Sequence, residues 1–203
     1  MKKLSNYSLA AAFAFLCFSC NNSSQPDSAQ AAKDSNVTKM DSTGTGDSTA
    51  ARSIPATVSK ADQNFAVNAA DAGMTEVQAG QLAVQKGMEK DVKDYGKMMV
   101  KDHTEAADKL KAIAAGKNIT LPATVSADMQ KHLDDLQAKS GKDFDKAYMN
   151  MMVDDHKKVI SAFEDESKNG SDADLRAFAD STLHTLHHHL DAAEKCSKMM
   201  SKM

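Results

Sequence analysis

The sequence contains no tryptophan, only three prolines and three cysteines in 203 residues, and few aromatic residues, 5 % of the total. Each scarcity excludes something. Only Pro122 falls after residue 60, so no other position there carries the ring clash and lost donor that break helices. Cys17 and Cys20 end an apolar N-terminal run, which leaves Cys196 as the one thiol of the remaining chain. A single thiol cannot build an internal disulfide framework, so packing must hold the fold. The formal net charge is −3 and no basic cluster interrupts the sequence, which argues against nucleic acid as a partner. No Gly-rich loop follows a strand pattern, and no Ser or Cys sits in a strand–turn–helix elbow. Nucleotide binding and nucleophilic catalysis therefore lack their motifs.

What is present begins with a leader. Residues 1–19 carry Lys2 and Lys3, then an apolar run from Leu9 to Phe18 that is too short to span a bilayer stably. Ser19-Cys20 follows it. A Cys after a small residue at this place resembles a bacterial lipobox, although Cys17 stands where an aliphatic residue is usual. The expectation is a lipoprotein-type signal peptide over 1–19, lipid attachment at Cys20 and a membrane as partner. Removal of the leader takes away two lysines and no acid, so the mature chain is more acidic. Residues 20–59 are rich in Ser, Thr, Asp, Asn, Ala and Gly and nearly free of large apolar side chains. Such a segment buries too little surface to offset its ordering entropy, so it reads as a flexible tether.

From Lys60 to Met203 the composition turns to Ala, Leu, Met, Lys, Glu and Asp, all but Asp good helix formers, with no strand-like alternation. The pattern predicts helices near 61–86, 89–116, 124–139, 142–168 and 172–200. Thr120-Leu121-Pro122 marks a loop. Asn169-Gly170 marks a helix stop, with Ser171 as the next N-cap. Four long helices and one short one make an all-α antiparallel bundle the expected fold.

Within it, MMVKDH at 98–103 returns as MMVDDH at 151–156. At this offset Tyr95 aligns with Tyr148, Met99 with Met152, His103 with His156, Ala106 with Val159 and Leu110 with Phe163. Along each helix those positions trace one face, otherwise apolar, so both histidines point into the core. The outer helices repeat the pattern. Glu76 sits in the stripe Phe65, Ala69, Ala72, Ala79, Ala83. His189 sits in the stripe Leu175, Phe178, Thr182, Leu186, Ala193, Cys196.

A buried carboxylate or imidazole needs partners. Glu76, His103, His156 and His189 converging on one cation would satisfy each other, and their donor types suit iron, zinc, manganese or copper. Taken one helix at a time, a hydrogen-bonded core histidine is the commoner outcome. Asp102 and Asp155 project about 100° away from the His direction, which suits them to hold a His ring on a neighbouring helix. His184 and His188, spaced i, i+4, lie off the inward stripe and read as exposed, like His132. The 13 methionines are first of all core fillers, though Met with His also suits copper(I).

The stretches FAVNAADAGMTEVQAGQLA, VKDYGKMMVKDHTEAADKLKAIA, NITLP, FDKAYMNMMVDDHKKVISAFEDES and LRAFADSTLHTLHHHLDAAEK resemble a bacterial envelope family. It is the ferritin-like family called domain of unknown function 4142, often labelled predicted outer-membrane protein. The resemblance covers about residues 60–196. It implies a ferritin-like helical bundle in the cell envelope, with the family's acidic position at Glu76 and its His positions at His103, His156 and His189; with the lipid on Cys20 the expected place is the outer membrane, the bundle in the periplasm or at the surface. It carries no established activity. The family's LPxLxxH pattern departs here, with His184 in place of the proline. The paired ExxH motifs of di-iron carboxylate proteins are absent.

Three functional readings follow. The first is a tethered bundle that binds a metal ion in its core for storage, buffering or stress protection. The second is a structural or interaction lipoprotein whose polar seam fixes helix register. The third is a ferritin-like redox enzyme, against which the shortage of inward carboxylates speaks. No residue is assigned a catalytic role.

Overall fold

The computed structural model describes residues 27–42 and 58–201. The leader, Cys20 and most of the expected tether lie outside these residues. Six helices make up the described chain: α1 Ser28–Ser42, α2 Lys60–Lys86, α3 Lys90–Gly116, α4 Ala127–Gln137, α5 Gly141–Asn169 and α6 Ala173–Met200. The fold is the expected all-α, ferritin-like antiparallel four-helix bundle of α2, α3, α5 and α6, with α4 as the additional short helix.

Local chemistry starts the helices where the sequence offers caps. Ser59 accepts from Asp62 N, Ser126 from Met129 N, and Asp172 from Asp174 N and Leu175 N. Such caps each contribute about 0.5–2 kcal/mol. Gly170 ends α5 as expected, but the cap of α6 is Asp172 rather than Ser171. Ser171 instead donates its hydroxyl to Asp62.

Contacts at the two ends fix the topology. At one end, Asp145 at the start of α5 accepts from the backbone N–H groups of Met88 and Glu89 in the α2–α3 turn. At the other, Asp62 at the start of α2 accepts from Ser171 and Asp172 in the α5–α6 turn. There Lys117, just beyond α3, pairs with Asp172 and Asp174 at the start of α6. So α2 runs against α5 and α3 against α6. The segment carrying α4 therefore crosses the length of the bundle, the single long crossover of ferritin-like folds.

The core has two apolar halves. One gathers Tyr95, Met99, Phe144, Tyr148, Met149 and Met152. The other gathers Phe65, Leu110, Phe163, Leu175, Phe178 and Leu186, where the Phe65 and Phe163 rings meet edge to face at 4.9 Å. In the first half, α2 and α3 approach closely at Gly80 and Gly96. A Cβ on Gly80 would stand 2.8 Å from Gly96 O, and one on Gly96 would stand 2.7 Å from Gly80 O. Neither backbone leaves room for a side chain.

Helix α1 departs from the flexible-tether expectation for residues 28–42. Asp27 caps it by accepting from Ala29 N and Gln30 N. Ala29 and Ala32 then bury against Val67 of α2. Asn36 holds the α3–α4 loop as a backbone strand would: its amide donates to Thr120 O at 3.0 Å and its carbonyl accepts from Thr120 N at 2.7 Å. Its buried face is built of small and polar residues, so no stripe of large apolar side chains marks it in the sequence.

Candidate metal centre

Between the two apolar halves lies a layer of polar groups, one from each long helix. Glu76, His103, His156 and His189 are all buried, His156 and His189 completely. One ring nitrogen from each of the three histidines lies within 4.8 Å of the others. The four inward residues of the sequence thus meet at one level, because each stands mid-helix in an apolar stripe and the helices pack antiparallel in register.

Hydrogen bonds fix the ring orientations. His189 Nε2 lies 3.0 Å from Asp102 Oδ2. Burial would raise Asp102, but the bonds from His189 and Lys101 outweigh it and hold the carboxyl below its ordinary range. Asp102 is therefore an acceptor and His189 Nε2 must donate. His156 Nδ1 lies 2.9 Å from Met152 O, a carbonyl, so it too must donate.

These two assignments leave His156 Nε2 and His189 Nδ1 as bare lone pairs, and those atoms face each other at 3.3 Å. A proton on either would resolve the clash. Yet burial lowers the basicity of both rings, His156 to about 4 with further repulsion from His189, and His189 despite the opposing pull of Asp102. Burial, then the charges of His156 and His189, lowers His103 to about 3. All three imidazoles are neutral at pH 7, the form that binds metal ions.

Glu76 sits behind the rings. Its Oε2 is 3.0 Å from His103 Nδ1 and its Oε1 is 3.4 Å from His156 Nδ1. Glu76 was expected among the ligands; the structure sets it against the ring nitrogens remote from the facing lone pair of His156. From there the carboxyl group can fix the orientation of the His103 ring. Desolvation, then the charge of Asp155, raises Glu76 to about 8. Glu76 Oε1 and His103 Nε2 are buried without a hydrogen-bond partner. His156 directs its Nδ1–H at Met152 O, which leaves Glu76 Oε1 unsatisfied.

Asp102 and Asp155, equivalent in the repeat, differ in the fold. Asp102 reaches His189 on α6. Asp155 lies 3.5 Å from Lys158 on its own helix. The charge of Asp155 acts instead on Glu76, whose carboxyl it raises. His132, His184, His187 and His188 are exposed and lie outside the cluster. Tyr95 was read only as a stripe residue. Its hydroxyl donates to His189 O at 3.2 Å, bracing the α6 backbone at the site. A polar cleft of about 260 Å³ between α3 and α6, lined by Lys101, Asp102, His103, Thr185 and His189 among others, leads from the surface to the cluster.

The three ring nitrogens lie close enough together to form a possible site for one metal ion, with one pair already at ligand spacing. Two nitrogens bound tetrahedrally to one ion at about 2.0–2.1 Å stand roughly 3.3–3.4 Å apart, the separation of His156 Nε2 and His189 Nδ1. Among the described residues, no helix is long and apolar enough to cross a membrane.

Comparison with known proteins agrees with the fold. A fragment of a DUF305 protein from Deinococcus radiodurans, known from its crystal structure, superposes with a TM-score of 0.62 at 7 % identity, over 72 % of this chain and 99 % of the fragment. At that identity the likeness concerns the fold alone. No curated protein matches the sequence. The family model described as Domain of unknown function (DUF4142) matches residues 47–196, and the chain belongs to that family.

Proposed function

We propose that this protein is an envelope-tethered helical bundle that binds one transition-metal ion in its core. His103, His156 and His189 are the ligands, and Glu76 and Asp102 hold the rings. The carrying observation is the pair of lone pairs 3.3 Å apart on His156 and His189, which a shared cation would relieve without charging a buried ring. Three neutral imidazoles favour zinc, copper or iron over manganese, which prefers oxygen donors. The tether is the segment after Cys20, whose lipid would place the bundle at the outer membrane of a bacterial envelope. The role is storage, buffering or stress protection rather than turnover, since the cluster offers one inward carboxyl group where redox di-metal sites need several bridging carboxylates.

The test is thermal stability against metal concentration. A ligand of the native state stabilises by about 2.7 kcal/mol at a hundredfold excess over Kd. Zinc, copper(I) and iron(II) are titrated separately. A saturable rise in Tm with one of them, absent in His103→Ala/His156→Ala, supports the reading. No rise with any of them supports the register-fixing seam instead.

A further inference from the structure

The core cluster makes no use of the exposed histidines of α6. His184 and His188 stand four residues apart in the middle of that helix, so they lie on one face, a turn from each other. Their Cβ atoms are therefore about 5–6 Å apart. Two imidazoles at that spacing can bind one ion, as the paired histidines of an H-E-x-x-H helix do. His132, on α4, has no second histidine at that spacing.

The backbone beneath the pair is held in place. Leu183, Leu186 and Leu190 pack into the Phe- and Leu-rich half of the core, and His189 is completely buried. The two side chains themselves are exposed. Among the described residues neither has a hydrogen-bond partner, and the His188 ring lies against that of His189 with centroids 6.2 Å apart. The helix thus sets the spacing while the rings remain free to turn. Both can close on an ion at about 2.0–2.1 Å without moving the backbone.

The surrounding charge favours a cation. Between Arg176 and Lys195, α6 carries no Lys or Arg, whereas Asp180 lies one turn before His184 and Asp191 one turn after His188. Across the cleft, Lys101 is held by Asp102 and Glu105. The pair also borders that cleft. Ser181 and Thr185 line it, and Ser181, His184, Thr185 and His188 follow the i, i+3, i+4, i+7 spacing of one helix face.

We propose that His184 and His188 form a second metal site, on the rim of the α3–α6 cleft, which binds one divalent transition-metal ion with water in its remaining positions. Two imidazole donors select copper(II) above nickel(II) and zinc. Calcium and magnesium, which take oxygen ligands, are not bound. Because water completes the coordination, the ion exchanges readily with solvent. The site needs nothing from the buried cluster and stands whether or not the core holds an ion.

The experiment titrates copper(II) calorimetrically into the untagged protein and three variants. His184→Ala/His188→Ala should bind one copper(II) fewer per chain than wild type with its helical circular-dichroism signal unchanged. Alanine at exposed helix positions favours the helix, so unfolding would not account for the loss. His187→Ala, which removes an exposed neighbour outside the pair, should bind as many ions as wild type. His103→Ala/His156→Ala should lose the core ion and keep the surface one. If that variant loses none, the core reading fails while the surface site stands. Equal stoichiometry in wild type and His184→Ala/His188→Ala overturns the proposal. Loss of the same ion in His187→Ala also overturns it, since the binding would then belong to a loose histidine tract rather than to a pair.

Discussion

At the residue scale the two aspartates of the repeat make different predictions. Asp102 accepts from His189 Nε2 and so turns Nδ1 toward His156. Asp102→Asn keeps the shape but allows the wrong tautomer. Removal of such a carboxylate typically weakens metal binding about 10–100-fold. Asp155→Asn should weaken binding far less, because Asp155 pairs with Lys158 rather than with a His ring. Metal titration of the two variants by calorimetry separates them; equal losses would contradict the assignment. The sequence made the four inward groups legible, since each interrupts an apolar stripe. It could not distinguish Asp102 from Asp155, because that depends on which residue the neighbouring helix presents. Nor could it show that Glu76 lies against the Nδ1 atoms of His103 and His156, which depends on ring orientation about χ2.

A second residue-scale prediction concerns Glu166 at the α5–α6 turn. Burial, then the charges of Asp62 and Asp172, raises its carboxyl to about 7, with Arg176 opposing. Its folded pKa thus exceeds the ordinary 4.5. Between those values the native state binds more protons than the unfolded one, so stability falls as pH rises. Glu166→Gln should therefore flatten the decline in denaturation midpoint between about pH 4.5 and 7. It should stabilise the protein at pH 8 relative to wild type. A decline of equal size in the variant would contradict the assignment.

At the scale of elements, the helices of the bundle were legible within about two residues at most ends, because large apolar side chains recur at helical spacing and Ser, Asp and Gly punctuate them. The short α4 was the least exact, running 127–137 rather than 124–139. Helix α1 was missed. It is held by an Asp cap, two alanines and the Asn36–Thr120 pairing, and a helix supported by contacts with other segments carries no strong pattern of its own. Asn36→Ala should cost about 1–3 kcal/mol, since it strands backbone groups of the loop. The loss should appear as faster amide exchange at Thr120, with the four-helix core still protected. The α2–α3 crossing makes the other prediction. Gly96→Ala gains about 0.5–1 kcal/mol of helix propensity. It also drives a Cβ against Gly80 O and the Ala83 side chain, and overpacking costs about 1–3 kcal/mol. Chemical denaturation should show a net loss; a net gain would mean the helices separate freely there.

At the scale of the whole molecule, the arrangement follows from one constraint. Four polar groups sealed between a Met- and Tyr-rich half and a Phe- and Leu-rich half must satisfy one another or a guest. The hydrogen-bond pattern satisfies them only in part. His103 Nε2 and Glu76 Oε1 remain alone, and two imidazole lone pairs confront each other. A bundle that needed only fixed helix register would be served better by a complete network or by an apolar layer. The proposed cation would complete that network. The antiparallel pairing of α2 with α5 and α3 with α6 brings all four groups to one depth, so the fold positions the site through helix register alone.

The most direct test of this account is the metal content of the untagged protein as purified, measured by mass spectrometry beside His103→Ala/His156→Ala. The account predicts close to one zinc, copper or iron ion per chain, lost in the double variant while the helical circular-dichroism signal persists. Protein that is metal-free as purified and takes up none of these ions when they are added would contradict it.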